Sequence, residues 1–213
     1  MNHKGPALVL WGGSDITRAK QYGWRFRPRI KHIVFTEQNK FELKRIGIDS
    51  KVKPMLFLDK KLLKLHPPGT SVFCYIPYKR DKFYGIDTIK AVASHLPKIN
   101  FILARYAPKK KPFPNCSTYP LLNFQGMLRL YRSSFCSIRP TKHDGFPQSI
   151  AELGLMGRKT GWIYDSHYST KCRTVMDYVN FITEEDRRRN PRRELREKFI
   201  SIADQTSHVL DEY

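Results

Sequence analysis

Nine residues of this sequence place two carboxylates around a potential anion site. They run Asp144-Gly145-Phe146-Pro147-Gln148-Ser149-Ile150-Ala151-Glu152. Gly145 permits close backbone approach, and Pro147 suits the first position of a helix. The free amides of Phe146, Gln148 and Ser149 then point at one spot with the helix dipole behind them, which favours a phosphate. Glu152 sits about five residues into that helix, roughly 7.5 Å along its axis. That distance matches the span from a diphosphate to a ribose, whose two hydroxyls one carboxylate can accept. Asp144 lies on the other side of the phosphate position, where a group about to be transferred would sit. Each acid also has a plainer reading: Asp144 as a helix cap and Glu152 as part of a solvated helix face.

Other residues extend the set. Asp15 closes a Gly12-Gly13-Ser14-Asp15 turn after an apolar run, as a cleft residue or simply as a turn former. Arg80 and Lys82 stand in a basic stretch before Gly85, and an arginine there can grip a phosphate with two parallel hydrogen bonds. Arg25 and Arg27 are interleaved with Tyr22, Trp24 and Phe26. Lys110 sits in a lysine run, and Arg188 and Arg192 in an arginine-rich segment. Basic residues accompanied by aromatics are what nucleic-acid contacts use.

These side chains need elements to hold them. Short apolar runs predict strands at 7–11, 32–35, 52–58, 71–76, 100–104, 135–138 and 160–164. Helical spacing or capping predicts helices at 37–45, 87–96, 122–131, 147–156, 177–182 and 192–210, the last basic and amphipathic. Thr36 caps the first and Gly47 stops it. The proline-rich stretch 106–120 reads as a solvated loop. His66-Pro67-Pro68-Gly69 breaks both helix and sheet and is the best linker. Strands alternating with helices imply an α/β chain with mostly parallel sheets. The linker divides it into 1–66 and 67–213.

Composition narrows the classes. The 213 residues are 40% hydrophobic and 13% aromatic, enough for a core and unlike a disordered tail. Thirty-nine Lys and Arg against 19 Asp and Glu give a net charge of +20, a field that attracts polyanions: nucleic acid, anionic membrane or phosphorylated ligands. The four cysteines form no metal-ligand spacing, so no zinc site is expected; Cys74 and Cys136 lie in apolar runs and read as buried thiols. A reducing, cytoplasmic location is the simpler expectation, with no signal peptide or transmembrane segment.

The stretch 127–157 resembles the signature of the group 1, retaining, GT-B-fold glycosyltransferases. That pattern has a tyrosine-bearing helix, a strand, then an E-x7-E segment opening on Glu-Gly-Phe-Pro; here Asp144 replaces the first Glu. Upstream, 75–87 resembles the segment whose basic pair holds the donor diphosphate, with Tyr84 where the family has Lys, leaving Arg80 and Lys82 to substitute. Residues 10–16 are similar to the family's H-G-x-D turn with its histidine replaced, and 33–48 also fits. The resemblance covers most of 7–165, with the N-terminal lobe much reduced.

It implies a GT-B-like α/β fold: a Rossmann-type C-terminal sheet and a reduced N-terminal lobe on the acceptor side. It further implies a retaining, metal-independent transfer of sugar from a nucleoside diphosphate sugar, a UDP-sugar favoured, with no further cofactor. Asp144 and Asp15 would be catalytic. Arg80, Lys82, Gly145, Phe146, Gln148, Ser149 and Glu152 would bind the donor. So small a first lobe would either pack intimately on the second or be completed in a homodimer. The acceptor suggested by the basic residues is DNA, such as a hydroxymethylated base flipped out of the helix. A lipid-phosphate or saccharide acceptor at an anionic membrane is the alternative. A non-catalytic nucleic-acid-binding protein on the same fold is the rival from another class.

Overall fold

The computed structural model describes residues 7–13, 15–21, 30–56, 58, 60–77, 79–164 and 166–211. Arg25 and Arg27, with their neighbouring aromatics, lie outside the described residues. The chain forms two compact units: 1–58 with 143–148 and 201–213, and 59–142 with 149–200. The chain therefore passes between units not only before the 66–69 linker but also on both sides of 143–148, and again within its last helix.

The first unit is a parallel sheet of β1 (Ala7–Trp11), β2 (Ile30–Val34) and β3 (Lys51–Val52), in that order. Alternation sends Val9, Trp11 and Val34 to one face, against Ile16, Ala19, Leu43 and Ile48. Leu8, Leu10 and Ile33 take the other, with Met55. Helix α1 (Glu37–Lys44) starts where the Thr36 hydroxyl accepts from the Asn39 amide at 3.2 Å. Gly47, at φ +79°, ends the turns that follow it. The expected strand over 52–58 is cut to two residues. The Lys53 amide still reaches the Val34 carbonyl, but Pro54 has no N–H with which to continue the ladder.

The second unit holds β4 (Ser71–Tyr75), α2 (Ile86–His95), β5 (Asn100–Ala104), β6 (Cys116–Tyr119), α3 (Phe124–Arg132), β7 (Ser134–Arg139), all but the first residue of α4 (Gln148–Leu155), β8 (Thr160–Trp162), β9 (Ser169–Lys171), α5 (Val175–Arg188) and the start of α6 (Arg193–Asp211). All six strands are parallel, in the order β6-β5-β4-β7-β8-β9. Numbered within the unit this is 3-2-1-4-5-6, the doubly wound nucleotide-binding order. Val72 and Cys74, Phe101 and Leu103, and Cys136 and Ile138 share one core with α2 and α5. Two edge strands escaped sequence reading. One, β6, lies inside the stretch expected to be a solvated loop; the other is β9. Both are half-polar, because an edge strand needs less apolar surface.

Four buried thiols and the deeply buried guanidinium of Arg158 mark how closely this unit is packed. Cys74, Cys116, Cys136 and Cys172 are all unpaired and buried, and burial pushes the Cys172 thiol up to about 12. Arg158 is 1% exposed. Its Nε donates to the Ser134 carbonyl, Nη1 to those of His66 and Met156, and Nη2 to Pro67. The proline linker is thereby tied to the start of β7 and the end of α4. Burial lowers its pKa to about 10. Gly154 of α4 leaves room for the Phe199 ring of α6: a Cβ would lie 1.9 Å from it.

Candidate functional site

In a doubly wound sheet the strand order reverses between β4 and β7, and ligands bind beyond the carboxyl ends of strands at that switch point. A narrow recess opens there in the second unit, lined by Tyr75 at the end of β4, Arg139 at the end of β7, and Ser149 and Ile150 of α4. Two loop contacts shape its edge. The Lys142 amide donates to the Phe83 carbonyl at 3.0 Å. Gly85, at φ +75°, leaves no space for a side chain, since a Cβ would meet the Pro140 carbonyl oxygen at 2.2 Å.

Arg139 is 8% exposed. Its guanidinium carbon lies 5.7 Å from the Tyr75 ring centroid and 5.2 Å from that of Tyr84. A delocalised cation held over two ring faces is oriented and partly desolvated. Arg105, at the end of β5, donates to the Tyr75 hydroxyl at 3.0 Å, so a second cation stands beside the first. The rings that hold Arg139 include Tyr84, the residue standing where the resembling family has lysine.

Glu152 is 6% exposed, which removes the reading of it as a solvated helix face. The Tyr131 hydroxyl of α3 donates to its Oε2. Burial and the adjacent Glu152 charge hold the Tyr131 phenol well above its ordinary range, opposed by the positive charge of Arg139. Phenol, carboxylate and guanidinium therefore act on one another within one neighbourhood. Tyr131 thus remains a donor, and fixes one carboxylate oxygen of Glu152.

The remaining predicted residues fall as follows. Gln148 is the first residue of α4, so Pro147 stands just before the helix rather than in its first position, and Ser149 lines the recess. Arg80 and Lys82 are exposed in the turns before α2 and are not among the residues lining it. Sequence reasoning passed over Arg139, although its place at the end of a strand was visible. Lys110 is exposed in its loop. Arg188 is exposed and paired with Glu184 at 2.6 Å, whereas Arg192 pairs with the buried Glu185.

The first unit holds Asp15, Asp144, Gly145 and Phe146. The Asp15 carboxylate accepts from the Gly12 amide at 3.0 Å, as a turn-forming aspartate does. Gly145 is pressed on the same turn: a Cβ would fall 2.0 Å from the Gly12 carbonyl oxygen. The Asp144 side chain accepts from the Gly145 amide at 3.1 Å, and its carbonyl accepts from the buried Asn39 amide at 3.3 Å. His143 pairs with Glu42 of α1 at 2.8 Å. Phe146 is half-buried.

Parallel α/β sheets joined by helices match the GT-B-like fold of the solved structures that follow. Among solved structures the chain is similar to the sucrose-phosphate synthase of Thermosynechococcus elongatus, with a TM-score of 0.65 at 13% identity over 85% of this chain and 57% of that one. It is similar to TarM, with a TM-score of 0.71 at 12% identity over 100% and 50% of the two chains. It is also similar to the pneumococcal O-GlcNAc transferase GtfA, at 0.63 and 12% over 96% and 50%. The chain spans about half the length of these proteins. No family model and no curated protein matches the sequence. Among the described residues no helix is long and apolar enough to cross a membrane.

Proposed function

We propose that this chain binds a nucleoside diphosphate sugar at the switch point of its six-stranded sheet and transfers the sugar to an acceptor hydroxyl. The observation that carries this reading is the buried triplet of Arg139, Glu152 and Tyr131. Glu152, with one oxygen fixed by Tyr131, accepts the ribose hydroxyls. Arg139 and the first amides of α4 meet the diphosphate, whose charge grows as it leaves. A preorganised guanidinium does this without a metal, so the transfer is metal-independent. Retention of configuration, and the sugar-orienting roles of Asp144 and Asp15, rest on the sequence resemblance. A uridine donor is favoured by the neighbours: GtfA is described in complex with UDP and GlcNAc, and a TarM variant in complex with UDP and an α-GlcNAc-glycerol.

The test is a thermal-shift panel of UDP-, GDP- and ADP-sugars, followed by release of nucleoside diphosphate. Stabilisation by one nucleotide class, abolished in Glu152→Ala, is expected. No shift with any member of the panel would sink the proposal. The acceptor proposed is DNA, supported by the exposed lysine run at 109–111 and the net charge of +20. Gel shifts in graded salt should then show affinity falling steeply as salt rises. Salt-insensitive or absent binding removes DNA.

A further inference from the structure

A second cavity of the same unit shares no residue with the recess at the switch point. Its volume is about 330 Å³, at the small end of the range for ligand sites. It is lined by residues that come just before strands: Arg132 ahead of β7, Met156 ahead of β8, and the segment leading to β4. It therefore belongs to the amino-end side of the sheet, away from the nucleotide recess.

Its floor is Leu128 and Met156, both buried. Its mouth carries Lys61, Lys64 and Arg132, all exposed, together with His66 and the half-exposed Leu62. The His66 Nδ1–H donates to the Pro67 carbonyl at 2.8 Å, which leaves Nε2 as the ring's other polar atom. No carboxylate is among the lining residues. A dry floor under a cationic rim suits a molecule with an anionic head and a hydrocarbon body. A nucleic acid strand would instead use aromatic faces for its bases, and no Phe, Tyr or Trp lines this cavity. The local sequence Lys60-Lys61-Leu62-Leu63-Lys64-Leu65-His66 alternates the two characters, with Leu63 buried in the protein and Leu62 left outward. Basic groups beside outward leucine are the composition of an interfacial contact with an anionic bilayer.

We propose that this cavity takes the phosphate head and first methylenes of an anionic membrane lipid. The phosphate lies among Lys61, Lys64 and Arg132, and the chain runs over Leu128 and Met156 with Leu62 at the bilayer surface. The site does not depend on the nucleotide-sugar reading and stands or falls separately from it.

Flotation of the full chain with vesicles tests it. Phosphatidylglycerol-containing vesicles should carry the protein, and pure phosphatidylcholine vesicles should not. Replacing Lys61, Lys64 and Arg132 together by Ala should weaken binding at least about tenfold. Replacing Lys90, Lys98 and Lys198, exposed cations elsewhere on the same unit, removes the same charge and should leave binding within about twofold. Leu62→Asp should weaken binding while keeping every cation. All variants change exposed side chains, and unchanged thermal unfolding verifies their fold. Short-chain phosphatidylglycerol should compete and inorganic phosphate should not. Equal loss in the two triple variants would overturn the proposal, as would full competition by phosphate. Loss of duplex DNA binding through the same three cations would replace the lipid with nucleic acid.

Discussion

The two units build parallel sheets from the same kind of apolar strand and use their charged residues in opposite ways. In the first unit, three short strands enclose two small clusters, and its acids hold turns and loops: Asp15 closes a turn, Asp144 accepts from the adjacent amide, and Glu42 pairs with His143. In the second, six strands form one extended core, and Arg139, Glu152 and Arg158, sunk into it, are held by ring faces, a phenol and carbonyls respectively. A larger sheet buries enough apolar surface to offset polar groups whose desolvation a small one could not carry. The lesson is that preorganised charge, which ligand binding needs, collects in the unit with surplus packing.

The largest expected effect tests that surplus. Arg158→Ala removes donors from four carbonyls at the junction of linker, β7 and α4, and should cost about 3 kcal/mol or more in denaturant unfolding. Trp11 and Trp162 are buried, one in each unit, so single-tryptophan backgrounds report on the units separately. The loss should appear first at Trp162. A larger change at Trp11 would break the distinction.

Gly145→Ala probes the first unit in the same way. The added methyl would overlap the Gly12 carbonyl oxygen, and separating these backbones should cost about 2 kcal/mol. Here Trp11 should respond first. Equal stability of variant and parent would show that this turn contact contributes nothing.

Arg139→Ala should weaken binding of a nucleoside diphosphate by about 1.5–3 kcal/mol, the range of hydrogen bonds to charged groups. Titration calorimetry measures it. Arg80→Ala, at an exposed turn, should weaken binding much less. The reverse ranking would return the phosphate role to the sequence-predicted cations.

How far the sequence revealed this arrangement depends on which physical signal each part carries. The inner strands were legible because burial on both faces favours near-continuous apolar runs, as in 72–76, 101–104 and 135–138. The edges β6 and β9 were not, since half-polar strands look like loops. Helix α5 begins two residues earlier than its apolar pattern because Thr174 and Asp177 form a reciprocal capping box. Glu152 was legible from its distance along a helix. Arg139 and Tyr131 were not, because their roles come from rings and helices distant in sequence that meet only in the folded sheet.

Tyr131→Phe sharpens the same point on a smaller scale. It removes the donor that fixes Glu152 and should weaken nucleotide binding by about 1 kcal/mol, the worth of one hydrogen bond. It also has a pH signature. The folded phenol titrates well above its ordinary value of 10, so on alkaline titration the unfolded chain loses this proton first. Stability from this group is therefore complete below pH 10 and falls as pH rises from there toward the folded value. The Phe variant should show a shallower alkaline loss by up to one proton. An unchanged slope would mean that the phenol is not held in this way.

The smallest effect, at Arg188, is set against that at Arg192, four residues on in sequence; both were nominated for polyanion contact. Arg188 pairs with Glu184 along an exposed helix face, and Arg188→Ala should cost no more than about 0.5 kcal/mol. Arg192 reaches Glu185, whose carboxylate is buried, and its own amide bonds the Gly157 carbonyl. Arg192→Ala leaves a buried carboxylate without this partner and should cost about 1–2 kcal/mol in the same unfolding assay. In gel shifts the order should reverse. Arg188, whose surface pair is weak and screened, should take the larger share of any salt-dependent DNA binding, while Arg192 stays committed to the core. Equal stability costs would mean that the depth of Glu185 does not matter, and that the second unit's hold on its charges ends before its last helix.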